Sequence, residues 1–565
     1  MARYSGPRGG PKVAPNSDRN FLKVLESLEA TISSLDEKKS PVIQEILAGD
    51  WLMMSGKVVK KVEYFLSELL VVRPIFCRTV IRELVCKFIT PPTDIEPANP
   101  DEISLSERKV FAILHRNLKK IFDAFPTYEE YGVKTMSSLF PYMTRGPHVH
   151  YCYVSNLLTC IGYMPHSKMQ ILHIIIHKLG KIDSSIRRQD VEALNENIEA
   201  SKDLDDKVKL EDGGFENIDF FHDDSFVPNP LIDTLDVSLQ GVFEFFEQDF
   251  RLLNEESVKT NDKAEVLNYF KNYVNCVFDK ELLPCFGTKH AQFLFFYATS
   301  LQPEFPQIFL DSLWRKVDSV STPAVLRIQA MSYISGFLTR AQYISFKTVK
   351  RWLTKLADWA NEYVIEKSYG CHWASINLQA HGCFYAVCQT IFYLIAFRNK
   401  ELLGSRKASA YMRTLNLGRL VTSDLNPLKA CNSAISDAFV DALNQHQISY
   451  CRTILERNQR STIPTVNAGL DDIGNFARQV TSSTLECFFP CDPYLLPRTK
   501  KWIDPIYKTY EPYLPEVKIE KEERDHGHDV VDMELSCSFS SDSPLGRGSL
   551  KLRGNILDSL EFMDC

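Results

Sequence analysis

From about Asn20 onward, apolar residues recur at intervals of three and four along most of the chain. That spacing places them on one face of an α-helix. In Val325–Ile344, residues Leu326, Ala330, Ile334 and Phe337/Leu338 make a single apolar stripe. Thr322–Pro323 reads as its start, with a side-chain acceptor for the free N–H groups and a proline suited to the first turn. Ala330, Ser335 and Gly336 are small enough to let a neighbouring helix approach closely. In His166–Ile182, Gln170, His173, His177 and Lys181 form a polar stripe opposite Leu172, Ile175, Ile176 and Leu179. Alternating runs joined by hairpin turns, the mark of strands, are scarce.

The pattern predicts helices near 20–35, 57–71, 74–89, 104–123, 147–163, 166–182, 231–253 and 261–281. A second series falls near 287–300, 304–318, 323–339, 346–367, 380–403, 407–421, 427–446 and 448–459. Two helices per roughly 40–47 residues is the period of stacked helical repeats. The predicted fold is therefore all-α, a HEAT-like α-solenoid of antiparallel helix pairs with a disordered acidic insertion and disordered termini. A compact helical bundle is the alternative, because no strict repeat motif is present. The expected division is a disordered basic arm at 1–19, N-terminal helical repeats at 20–185, an acidic flexible insertion at 186–229, C-terminal helical repeats at 230–515 and a charged, serine-rich disordered tail at 516–565.

Charge sharpens this division. The 565 residues carry a formal net charge of −7. Residues 190–224 alone hold 13 acidic and 3 basic side chains, which leaves the rest slightly positive. A histone-like coat for DNA is excluded. With 44% hydrophobic and 11% aromatic residues, wholesale disorder is excluded too. The fifteen cysteines are odd in number, scattered and free of any CxxC, so free thiols in a reducing compartment are expected. Met1–Asn20 has no apolar core, so no secretory signal is expected. The most apolar run, Cys383–Phe397, is shorter than the roughly 20 residues a membrane span needs and contains Gln389. A buried core helix is the expectation.

Catalytic motifs are missing: there is no GxxxxGK[ST], GxGxxG, GxSxG or HExxH. His173 and His177 have the i,i+4 spacing of a metal pair, but they are expected in the solvated stripe without a nearby carboxylate. His148, His150 and Cys152 follow Pro147 at a helix start. His148 and Cys152 share a face, yet two further ligands are not evident. Cys371, His372, His381, Cys383 and Cys388 are the densest group, but on a helix Cys383 and Cys388 point about 140° apart. Structural roles are favoured over metal for all three. Basic patches occur at Lys347/Lys350/Arg351/Lys355, at Arg398/Lys400/Arg406/Lys407 and at Arg498/Lys500/Lys501, where solvated faces are commoner than phosphate contacts. Ser543–Pro544 fits a proline-directed kinase site. The residues alone thus lead to a helical scaffold that binds macromolecules.

Longer segments go further. CFFPCDPYLLPRTKKWIDPIY, Cys487–Tyr507, resembles the C-terminal signature of the RNA polymerase I-specific transcription initiation factor family of the TIF-IA type. Val325–Ile344, His381–Leu403, Leu420–Ile435, Tyr450–Pro464 and Cys152–Leu179 resemble further segments of that family in order and spacing, over roughly Ser104–Tyr513. The resemblance implies a HEAT-repeat solenoid and no enzymatic activity. It implies binding to the stalk subunits of RNA polymerase I, bridging to promoter-bound core initiation factors at ribosomal RNA genes, and control by protein kinases in the nucleus and nucleolus. Weak DNA contact and a homodimer of the free factor are left open; no cofactor, metal, catalytic residue or membrane is implied. Ser137, Ser138, Ser155 and Ser167 lie in the region matching the family's docking patch. Leu338 and Arg340, in LTRAQ, fall in a stretch that looks like a polymerase contact, with Gln342 where a basic residue is common. Arg398 and Lys400 fall in a segment linked to DNA or phosphate contact, and Ser543 is the phosphorylation candidate. Two other classes remain: a general HEAT-type adaptor or transport scaffold without polymerase specificity, and a metalloenzyme built on His148–His177.

Overall fold

A computed structural model describes residues 15–90, 99–198, 229–260, 263–367, 376–446, 448, 451–460, 485 and 489–510. Residues 1–14, Cys371, His372, Ser543 and the 516–565 tail lie outside the described residues. The described residues are helical, and the single β-type contact among them is an isolated antiparallel bridge between Ala341 and Tyr507. The all-α expectation holds.

The chain divides into two units. The first runs from Met1 to Phe305 and includes Tyr494–Pro505; the second comprises Pro306–Pro493 and the chain from Ile506. In the first unit, helices two apart in sequence pack on one another. Pro15–Ala30 packs on Gly56–Val72, and Ser40–Ala48 on Cys77–Cys86. Cys77–Cys86 packs in turn on Glu129–Ser138, which packs on Lys168–Ser185. Stacking each helix on its counterpart in the next pair is how a repeat array closes its core without long-range pairing. The long helix Pro230–Thr260 lies on Pro147–Ile161. In the second unit the centre is Leu378–Phe397, which packs against Ala324–Arg340, Phe346–Lys367 and Ser433–Gln445.

Several elements depart from the expectation. Ser40–Ala48 and Glu129–Ser138 were not foreseen; both are short, and Glu129–Ser138 holds few apolar positions. The acidic stretch expected to be irregular from 186 is helical at 188–198, with Val191 buried, and residues 199–228 lie outside the described residues. The predicted helix 407–421 breaks at Asn416 and the predicted helix 427–446 divides after Ala430; Asn416 and Asn426, just before the second, adopt φ of 51° and 44°. Asparagine tolerates this left-handed region, and each Asn starts a new short helix. Thr322 does not cap its helix: Pro323 occupies the cap position with no side-chain hydrogen bond. Ser104 does cap Leu105–Ala124, in a reciprocal box with Glu107.

Leu378–Phe397 is 20 residues long, so by length and composition it could cross a membrane; the shortness argued from sequence is corrected. Burial is the better criterion, since 83% of its most apolar window is packed inside the protein. Gln389 is satisfied there, accepting from the Asn432 backbone N–H at 2.9 Å.

Candidate docking surface and the buried segments behind it

The sequence segments that carried the resemblance fold into two buried knots, one in each unit. In the second unit, Ala324–Arg340 ends and the chain turns extended at Ala341, which pairs with Tyr507. The Gln342 N–H donates to Ile506 O at 3.0 Å and the Lys508 N–H to Arg340 O at 2.7 Å. The Arg340 guanidinium lies 4.6 Å from the Phe397 ring centroid and 5.4 Å from that of Tyr507. Burial opposes its charge, but Tyr393, Tyr507 and Asp492 outweigh burial and hold it protonated. Arg398 donates to Ala341 O and to Glu401, each at 3.2 Å, and Lys508 also pairs with Glu401. Three stretches far apart in sequence thus share one set of hydrogen bonds.

This corrects part of the expected docking set. Leu338 is 0% exposed, Arg340 2% and Arg398 4%. A side chain sealed from solvent cannot meet a partner's surface, so these three hold the fold together. Lys400, next to this knot, is exposed. The small residue Gly336 admits a close neighbour as expected, but the neighbour is Cys491 of the C-terminal segment and not a helix.

In the first unit the other knot is built on two buried aspartates. Asp236 accepts from the backbone N–H of Arg498 at 2.8 Å, from that of Thr499 at 3.0 Å, and from the Thr499 hydroxyl. Arg498 itself pairs with Asp233 at 3.0 Å and Asp101 at 3.5 Å. It is therefore committed internally, while Lys500 and Lys501 remain exposed. Trp502 stacks on Phe243 with centroids 5.2 Å apart and planes 7° from parallel. Asp183 accepts three backbone N–H groups, from Lys289, His290 and Ala291 at 2.7–2.9 Å, and the His290 ring at 3.1 Å. Burial alone would raise both carboxyls. At Asp183 the His290 contacts and backbone donors win and the pKa falls; at Asp236 burial wins and it rises.

The four serines separate by exposure. Ser138 is exposed near the end of Glu129–Ser138, with Ser137 half-buried beside it. Ser155 is half-buried on Pro147–Ile161. Ser167 is only 3% exposed and donates to Glu129 at 2.9 Å, which removes it from a docking surface in this structure. In the second unit the basic stripe is half absorbed by aromatic rings. Lys350 lies 4.6 Å from the Tyr411 centroid and Lys355 4.5 Å from that of Trp352, whereas Lys347 and Arg351 are exposed. His173 and His177 also differ from expectation: Glu281 reaches both, 2.9 Å from each Nδ1. Sequence spacing missed that carboxylate because it lies over a hundred positions away, in the π-helical turn Phe278–Leu282.

The described residues define a helical scaffold, with accessible serines and lysines on its helices and buried polar knots joining distant stretches within each unit. The chain belongs to the family of the RNA polymerase I specific transcription initiation factor RRN3, which it matches over residues 11–514. It is 31% identical to RNA polymerase I-specific transcription initiation factor RRN3 of Mus musculus, covering 87% of this chain and 76% of that protein. It is 25% identical to the rrn3 initiation factor of Schizosaccharomyces pombe, over 96% of this chain and 87% of the relative. The crystal structure of RNA polymerase I transcription initiation factor Rrn3 superposes with a TM-score of 0.65 at 22% identity, over 88% of this chain and 92% of that one, which shows the shared fold. Members of the family are initiation factors and not enzymes.

Proposed function

We propose that this RNA polymerase I-specific initiation factor binds RNA polymerase I through its stalk subunits and bridges it to promoter-bound core initiation factors, under phosphorylation control, in the nucleolus. The observation that carries the reading is the family match over residues 11–514. Bridging works by linkage: one surface holds the polymerase, another the promoter complex, and the second encounter becomes effectively intramolecular. HEAT-like helix pairs in each unit offer exposed helix faces to partners. On the polymerase side the reading uses Ser137, Ser138 and Ser155, which reach solvent in whole or part. A phosphate on any of them adds about −1.5 to −2 charge, enough to reverse local complementarity with an acidic partner surface. Any weak DNA contact falls to Lys400 and its exposed neighbours Arg406 and Lys407. Self-association of the free factor belongs to the same reading, and sedimentation at several concentrations measures it.

The test is recovery of tagged protein from nuclear extract, with and without phosphatase, probed for the largest subunits of the three nuclear RNA polymerases. Selective recovery of polymerase I, altered by phosphatase, is expected. Recovery of none, from folded protein in both phosphorylation states, would favour the adaptor reading and reduce the family likeness to fold.

A further inference from the structure

We propose that Glu107, His148 and Cys152 form a binding site for a zinc-class divalent metal ion that ties helix Leu105–Ala124 to helix Pro147–Ile161. Their donor atoms all lie within 4.8 Å of one another. His148 and Cys152 are one helical turn apart, and Glu107 comes from the facing helix.

The chemistry of His148 carries the argument. Its Nδ1 is 2.9 Å from the Pro100 carbonyl oxygen, which can only accept, so Nδ1 carries a proton. Its Nε2 is 2.9 Å from a Glu107 carboxylate oxygen and 3.5 Å from Cys152 Sγ. In a neutral ring the Nε2 lone pair would face another acceptor at hydrogen-bond distance. A divalent ion between the three donor atoms would take the Nε2 lone pair, the carboxylate oxygen and the sulfur together.

Geometry favours the ion. Tetrahedral zinc bonds of about 2.0–2.1 Å to nitrogen and 2.3 Å to sulfur place the two donors about 3.6 Å apart. The observed 3.5 Å fits without rearrangement. Nε2 and the carboxylate oxygen need only move apart by a few tenths of an ångström. Both oxygen and nitrogen donors are also held from behind, as metal ligands generally are. Pro100 O fixes the His148 ring, and the Ser104 N–H holds the second Glu107 oxygen at 2.9 Å.

The donor set selects the metal. Thiolate and imidazole favour zinc or cobalt over magnesium or calcium. One carboxylate and one thiolate balance a divalent charge. The S–H proton of Cys152 leaves to solvent as the sulfur–metal bond forms, and so does any proton on Nε2. Cys152 is fully buried, while the Glu107 side chain is 25% exposed, so the open fourth position faces solvent on the Glu107 side. Nearby charges are engaged elsewhere: Arg108 donates to Ile103 O, and Asp101 accepts from Gln240 and pairs with Arg498.

The test uses the full-length chain purified without a chelating tag and freed of metal. Cobalt(II) chloride is titrated in and the thiolate-to-cobalt absorption of the near ultraviolet is followed; zinc(II) chloride then competes. One equivalent of cobalt bound at micromolar concentration or below is expected, with displacement by zinc. Cys152→Ser should abolish the thiolate band, Glu107→Gln should weaken binding at least about ten-fold, and Cys383→Ser should change nothing. Glu107→Gln decides the case if Cys152→Ser fails to fold, because its amide oxygen still accepts the Ser104 N–H. Absence of cobalt and zinc binding to the folded wild-type chain overturns the site and leaves His148 hydrogen-bonded to Glu107. A thiolate band undiminished in both variants places the metal on other cysteines and overturns it equally.

Discussion

Gly336 and Cys491 meet so closely that a Cβ on the glycine would stand 2.7 Å from the Cys491 sulfur and 2.9 Å from its Cβ. Both distances are below ordinary contact, and Cys491 is itself fixed because its carbonyl accepts from Tyr507 OH at 2.9 Å. The contact seats the C-terminal segment on helix Ala324–Arg340. Gly336→Ala should therefore destabilise the second unit by about 1–3 kcal/mol through overpacking, although alanine is the better helix former. Urea unfolding of Gly336→Ala, Cys491→Gly and the double variant measures the coupling. The double variant should lose less than the sum of the two singles, because the clash disappears.

The Arg398 and Lys400 pair separates fold from surface. Arg398 bridges Ala341 O and Glu401 inside the second unit, while Lys400 is exposed. Arg398→Ala leaves Ala341 O with only the long bond from the Ile344 N–H at 3.4 Å and removes a partner of Glu401, and should cost about 2–4 kcal/mol. Lys400→Ala should stay within about 0.5 kcal/mol. If this segment touches nucleic acid, Lys400→Ala should lower retention on a DNA column while leaving the unfolding midpoint in place. Loss of retention in Arg398→Ala should instead follow its unfolded fraction.

The two buried aspartates predict opposite responses to the same change. Asp183 has its pKa lowered from the ordinary 3.8, so the fold favours its ionised form. That stability is present above pH 3.8 and is lost as pH falls through the lower folded value. Asp236 is raised from 3.8, so the fold favours its neutral form. Its contribution is complete below pH 3.8 and lost as pH rises through the folded value. At pH 7, Asp183→Asn should then cost about 2–3 kcal/mol, and Asp236→Asn about 1 kcal/mol or less. Thermal unfolding of both variants at pH 7 checks the order.

How much of this was readable in advance depended on whether the signal was local. The Leu172, Ile175, Ile176 and Leu179 face needs only helical period, and all four are buried. Glu129–Ser138 holds few apolar positions, so its place between Cys77–Cys86 and Lys168–Ser185 comes from packing alone. The sites were less legible still. Arg340 and Arg398 look like surface cations in sequence. Their burial depends on Tyr507, Ala341 and Glu401, which come together only when the chain folds. Glu281 beside His173 and His177, and Glu107 beside His148, were hidden for the same reason.

The serines give the sharpest test of the docking surface. Ser138 is exposed, and its hydroxyl bonds only to Thr135 O within its own helix. Ser167 is buried and its hydroxyl donates to the Glu129 carboxylate. A negative charge at 138 projects into water, where its effect on stability should stay within about 0.5 kcal/mol. At 167 it is buried beside the half-buried Glu129 carboxylate, and the uncompensated pair should cost about 2–3 kcal/mol. Ser138→Glu should therefore keep the wild-type melting temperature while changing polymerase I recovery. Ser167→Glu should lower the melting temperature, and a second change, Glu129→Gln, should restore much of it by removing the opposing charge. If recovery were lost in Ser167→Glu and returned together with stability in the double variant, Ser167 would act on docking through the fold, by positioning helix Lys168–Ser185, and not by touching the polymerase.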